Sequence, residues 1–113
     1  MDIIDFTVRR GNNNPAMIWA LQDEEGEPFP VEGRSLVLTI VWRDGSLTKE
    51  SVANDGLSVD AATSQVTWTP TIGESRSIPP GRRARYELEC RTGAEQVTIA
   101  AGSVTGAGGL NSD

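Results

Sequence analysis

Histidine is missing from all 113 residues, and with it go the commonest general base and the commonest zinc ligand. The single cysteine, Cys90, allows neither an internal disulfide nor a Cys-x-x-Cys site, so packing alone must hold the fold. Neither a Gly-x-x-x-x-Gly-Lys run nor a Gly-x-Ser-x-Gly elbow occurs. No apolar run approaches the ~20 residues of a membrane helix, and the acidic, alternating start MDIIDFTV is unlike a signal peptide. The expectation is a soluble product of the cytosol that is no enzyme, uses no cofactor and touches no membrane.

Positive charge is also in short supply. Ten bases against 16 acids give a net charge of −6 and a pI near 4.6. That argues against nucleic acid, whose binding draws on phosphate neutralisation. Through Asp60 the acids outnumber the bases 11 to 5, whereas from Ala61 onward each side has 5, matching the totals. Two faces of different potential, or two different neighbours, would fit that asymmetry.

What the chain does have is alternation. A length near 100–150 residues suits one domain. Asp2 to Val8 reads as a first strand with Ile4, Phe6 and Val8 on one face, closed by the turn Arg9 to Pro15. Ala16 to Gln22 follows, with Met17, Trp19 and Leu21 inward. In Asp23 to Gly33, the Asp-Glu-Glu-Gly step predicts a polar turn with Gly26 at positive φ. Pro28 and Pro30 keep the next piece at an edge, with Phe29 and Val31 tucked beneath the sandwich.

Ser35 to Arg43 is so apolar that both of its faces should be covered. Asp44-Gly45 turns the chain back through Ser46 to Val52. Short strands are expected at Leu57–Val59 and at Gln65–Pro70, with Val66 and Trp68 inward. Thr71 to Ile78 lacks alternation and reads as a helical turn crossing between sheets. Arg83 to Arg91 alternates, with Ala84, Tyr86, Leu88 and Cys90 in and Arg85, Glu87 and Glu89 out. Glu95 to Val104 places Val97, Ile99 and Ala101 on the core face. Turn signals every 8–12 residues predict an all-β protein, an immunoglobulin-like antiparallel β-sandwich of 7–8 short strands over residues 1–104. A flexible C-terminal tail is expected over 105–113.

Each chemically suggestive group has a plainer reading. Cys90 is a possible nucleophile, but at an inward strand position with no imidazole in the chain it reads as a small core residue. Asp23, Glu24, Glu25 and Glu27 are oxygen ligands in principle, yet their spacing matches no calcium loop and fits a solvated turn. Asp55 and Asp60 carry no more. Arg82, Arg83, Arg85 and Arg91 form a basic stripe interleaved by Glu87 and Glu89, which suits ion pairing or an acidic protein neighbour. Trp19, Trp42 and Trp68 fall at apolar strand positions, and Trp42, beside a charged turn, is the one placed to face a partner. Leu110 is the tail's apolar anchor, and nine extended residues reach about 30 Å, enough to lie across a neighbouring subunit.

Several motifs together carry a family resemblance. They are Asp-x-x-x-x-Arg-Gly at Asp5 to Gly11, Asp-x-x-Gly-x-Pro at Asp23 to Pro28, Val-x-Gly at Val31 to Gly33, and the stretch Pro79-Pro80-Gly81-Arg82-Arg83-Ala84-Arg85-Tyr86-Glu87-Leu88. Up to about Val104 the chain resembles the small immunoglobulin-like domains of tailed-bacteriophage structural proteins, in particular the N-terminal domain of baseplate upper proteins and its stand-alone prophage relatives. Two features depart from that pattern. The large C-terminal parts of baseplate upper proteins have no counterpart here, so the chain is not expected to be the adaptor alone. Met17-Ile18-Trp19-Ala20 replaces a threonine-rich strand and suggests an apolar contact patch.

The resemblance implies a non-enzymatic virion structural protein of the tail or baseplate region, made in the host cytoplasm. It would bind other virion proteins and be a homo-oligomer within a symmetric assembly. The candidate interaction surfaces are Asn12, Asn13 and Asn14 in the first turn, Trp42, the arginines Arg82, Arg83 and Arg85, and Leu110. A capsid decoration protein is the alternative within that class. A carbohydrate- or receptor-binding module is the alternative outside it.

Overall fold

The computed structural model describes residues 2–11, 16–22, 25–29, 34–53, 56–60, 62–93 and 95–108. Its strands are β1 (Asp2–Ile3), β2 (Phe6–Arg9), β3 (Met17–Ala20), β4 (Ser35–Trp42), β5 (Gly45–Glu50), β6 (Leu57–Asp60), β7 (Gln65–Trp68), β8 (Gly81–Thr92) and β9 (Glu95–Ala107). A single helix, α1 (Ile72–Ser77), and a 3₁₀ turn at Ser51–Ala53 complete the described elements. The strands make two packed sheets. The larger has the order β1-β9-β8-β4-β5, with β2 also on β9, and the smaller has the order β3-β7-β6. This is the expected all-β sandwich.

One pairing differs from the antiparallel expectation. β1 and β2 both run parallel to β9, in a single register: Asp2 faces Ala100, Ile3 faces Ala101 and Phe6 faces Val104. They are thus one strand interrupted at Ile4 and Asp5, which makes eight strands in all among the described residues. The interruption has a visible cause. The Asp5 carboxylate accepts the Ser103 N–H at 2.9 Å, taking the place of a ladder carbonyl. The Ile4 carbonyl instead accepts from the Tyr86 hydroxyl at 2.6 Å.

The core lies between the sheets. Trp19 and Trp68 are fully buried, as are Leu36, Leu38 and Ile40 from β4 and Ala84, Tyr86, Leu88 and Cys90 from β8. Phe6, Trp19 and Tyr86 form an aromatic cluster with ring centroids 5.0 to 5.8 Å apart, and Trp19 Nε1 donates to the Tyr86 hydroxyl at 3.0 Å. Such tilted and edge-on pairs add specificity to the area they bury.

Two expected strand faces are corrected. Glu89 pairs Thr98 while Leu88 pairs Ala100, so Ile99 is an extra residue on β9. The bulge restarts the alternation: Ile99 and Ala100 are both buried, Ala101 moves to the outer face, and Val97, near the strand's start, is half exposed. On β4 the outer face is covered only at its beginning, since Val37 is buried but Val41 is exposed. β9 also runs on to Ala107, past Val104, because Thr105 to Ala107 pair with Thr7 to Arg9.

The connection after β3 folds back as expected. Gln22 bridges Pro28, Phe29 N–H donates to the Leu21 carbonyl at 3.0 Å, and Gly26 has φ of +82°. Phe29 packs against the core, and its carbonyl accepts from Ser64 Oγ at 2.6 Å. Asp23, Glu24 and Val31 lie outside the described residues. α1 closes the sandwich between β7 and β8. Thr71 and Glu74 cap its start reciprocally. Arg10 holds its far end, donating to the Arg76 and Ile78 carbonyls at 3.0 and 2.8 Å. Lys49, on the inward face of edge strand β5, forms an ion pair with Glu74.

Candidate interaction surface

The outer face of the large sheet can be laid out row by row from its register. Ser103 on β9 faces Arg85 on β8, which faces Val41 on β4, which faces Ser46 on β5. One row along, Ala101 faces Glu87, then Thr39, then Thr48. Small residues on β9 and Thr39 on β4 lie low, whereas the long side chains of β8 stand high. The result is an open trough of about 730 Å³, lined by Asp5, Thr39, Val41, Arg83, Arg85 and Ser103 among others.

Arg82 and Arg83 both reach this face although they are consecutive. The register shifts between Gly81 and Ala84, which inserts one residue into β8, so both arginines are exposed while Ala84 is buried. Re-aiming a side chain in this way is a usual effect of a bulge. The two then part company. Arg82 is committed: its Nε donates to Ser103 Oγ at 3.0 Å and its Nη2 meets Asp5 Oδ2 at 3.2 Å. Asp5 in turn is held below the ordinary carboxyl value of 3.8, first by the Ser103 N–H, then by the Ser103 hydroxyl, and to a smaller extent by Arg82. Arg83 and Arg85 make no ion pair or side-chain hydrogen bond among the described residues.

The rest of the stripe is tied up along the strand, as the interleaved sequence suggests. Arg91 donates to Glu89 Oε1 through both Nε and Nη2, at 3.2 and 2.9 Å. With both side chains part-exposed, the pair contributes at most about 1 kcal/mol. Glu87 is the second carboxylate that lines the trough, beside Asp5. The trough thus holds three guanidinium groups and two carboxylates, a locally cationic surface on a chain of net charge −6.

The other sequence candidates are not brought to this place. Trp42 is half-buried and packs against the core, with its indole across Gly45, its hairpin partner. Asn12, Asn13, Asn14 and Leu110 lie outside the described residues. On β3, Met17 and Trp19 point inward, leaving Ile18 and the small Ala20 as the exposed apolar side chains of that segment. Cys90 is buried on the inward face of β8.

Val41, Asp5 and Ser103 escaped sequence reasoning. Their membership follows from register across four strands, with separations of up to 98 residues between Asp5 and Ser103. No family model matches this chain, and no characterised protein matches it.

Proposed function

We propose that this protein is a non-enzymatic structural module that binds a neighbouring protein subunit through the outer face of its large sheet. One observation carries the reading: Arg83 and Arg85 stand exposed beside the exposed Val41, with no ion-pair partner among the described residues. Arginine next to an apolar contact and polar rim groups such as Thr39 and Ser103 is the composition that protein interfaces favour. The phage-domain resemblance of the sequence supports reading the module as a virion protein of the tail or baseplate region, among copies of itself and other virion proteins. The sugar-binding alternative is disfavoured by the aromatics: Trp19 and Trp68 are sealed in the core and Trp42 lies on its own hairpin.

The test is quantitative mass spectrometry of purified particles, scored as copies of this chain per major capsid protein. A few to a few dozen copies per particle support a tail or baseplate position. A ratio near one to one, or one per capsomer, would move it to the head as decoration. Absence from particles overturns the virion reading.

A further inference from the structure

The acidic hairpin and the arginine trough lie toward different ends of β4. Phe29, at the base of the Gln22–Pro28 hairpin, has the Arg34 guanidinium 5.5 Å above its ring, and Arg34 immediately precedes β4. Arg85 faces Val41, six residues beyond Ser35, the first residue of that strand. At ~3.4 Å per residue the two ends are separated by about 20 Å, in a molecule 42 Å long and about 25 Å wide. The hairpin therefore cannot fold onto its own trough.

From this the geometry points to a head-to-tail contact between copies of the chain, in which the acidic hairpin of one copy enters the Arg83/Arg85 trough of the next. The inference rests on the structural-module reading and names its partner. Charge complementarity supplies the argument. Glu25 and Glu27 are exposed at the hairpin tip, and Asp23 and Glu24 adjoin them in sequence. Each of the two described glutamates is also engaged within its own chain, but a carboxylate has about four acceptor positions and can serve a second donor. Across the contact, each guanidinium presents a fork matched to a carboxylate. Within the trough, Asp5 takes its hydrogen bonds from Arg82 and Ser103, and Arg83 and Arg85 pair with neither Asp5 nor Glu87 among the described residues.

Copies with net charge −6 repel at long range, so an apposition that brings local positive to local negative selects one orientation. A contact between two different patches is heterologous. It builds a ring where the rotation closes and a filament where it does not.

Sedimentation velocity of the full chain over a concentration series tests the contact, with circular dichroism to confirm that each variant folds. The wild type is expected to self-associate. Charge reversal in the trough, Arg83→Glu with Arg85→Glu, should weaken association at least ~tenfold. Reversal at the hairpin, Glu25→Arg with Glu27→Arg, should do the same. Mixing the two reversed chains, or combining all four changes in one, should restore it.

A wild type that stays monomeric up to millimolar concentration overturns the contact. So does association that the trough reversal leaves unchanged, or that the paired reversals fail to rescue. Particle counts keep the two proposals apart. A monomeric chain present in particles at fixed copy number defeats the head-to-tail contact and leaves the structural role standing. A chain that associates through these residues but is absent from particles supports the contact and removes the virion role.

Discussion

The Tyr86 hydroxyl accepts the Trp19 indole N–H at 3.0 Å and donates to the Ile4 carbonyl at 2.6 Å. One oxygen thus satisfies a buried donor from the small sheet and a part-buried acceptor from the interrupted first strand. Trp68 is the contrast, being equally buried with an indole N–H that has no partner among the described residues.

Tyr86→Phe removes that oxygen and strands both groups. At 1–3 kcal/mol for the buried Trp19 donor left unsatisfied, and less for the part-buried Ile4 carbonyl, the expected loss is about 2 kcal/mol. Trp68→Phe removes far more volume but also eliminates an unsatisfied donor, so it should cost no more than Tyr86→Phe. Urea unfolding of the two variants decides the matter. A Tyr86→Phe protein that is the more stable of the pair would show that the hydroxyl is not the link proposed.

Gly102 allows the first strand to approach. A Cβ built there would fall on the Ile4 carbonyl, which is backbone and cannot swing aside. Gly102→Ala is therefore expected to cost at least about 3 kcal/mol, or to release β1 from β9. Gly108→Ala is the control, since a Cβ there meets nothing within 4 Å. Equal thermal midpoints for the two variants would refute the close approach.

Asp5 gives the fold an acid-sensitive point. Its carboxyl is held below the ordinary 3.8, chiefly by the Ser103 N–H. A group whose pKa is lowered by folding stabilises the native state above its unfolded value, and that contribution fades as pH falls through the folded value. The stability difference between wild type and Asp5→Ala should thus stay level from neutrality to about pH 4 and shrink below it. A difference that grows on acidification would reverse the sign and discard the assignment.

These residues also show what the sequence could and could not disclose. On β8, strict alternation places Ala84, Tyr86, Leu88 and Cys90 inward and Arg85 and Glu87 outward, and the structure agrees residue by residue. The helical turn at α1 was legible because alternation stops over Thr71 to Ile78, whereas the capping box of Thr71 and Glu74 emerged only with the structure. On β9 the same reasoning misplaces Val97 and Ala101, because a period-2 pattern carries no mark for the extra residue Ile99.

Parallel pairing of the first strand with the last leaves no trace in alternation either, since the period is the same in both directions. The candidate site divides the same way. That Arg83 and Arg85 point outward could be read from the chain. That Arg82 is taken by Asp5 while Arg83 and Arg85 are left available depends on a contact 77 residues away.

Lys49 is the remaining place where the fold spends charge inside. It faces Leu38 across the edge of the large sheet, yet its ammonium meets the Glu74 carboxylate with only 12 and 14 % of the two side chains exposed. Glu74 also accepts the Thr71 N–H at 2.9 Å, so one side chain both caps α1 and anchors the helix to β5. Lys49→Met fits the same stem into the same space but leaves Glu74 without this cation. For a fully sealed pair such a loss runs to 3–5 kcal/mol; the residual exposure here lowers the expectation to about 2 kcal/mol. Adding Glu74→Gln should recover part of the loss, because the amide oxygen can still accept from Thr71 while the stranded charge is gone. An inward lysine on an edge strand also discourages pairing with another chain. Lys49→Met should therefore aggregate more readily than the wild type on partial unfolding. Equal stability and equal light scattering for the two proteins would remove both roles at once.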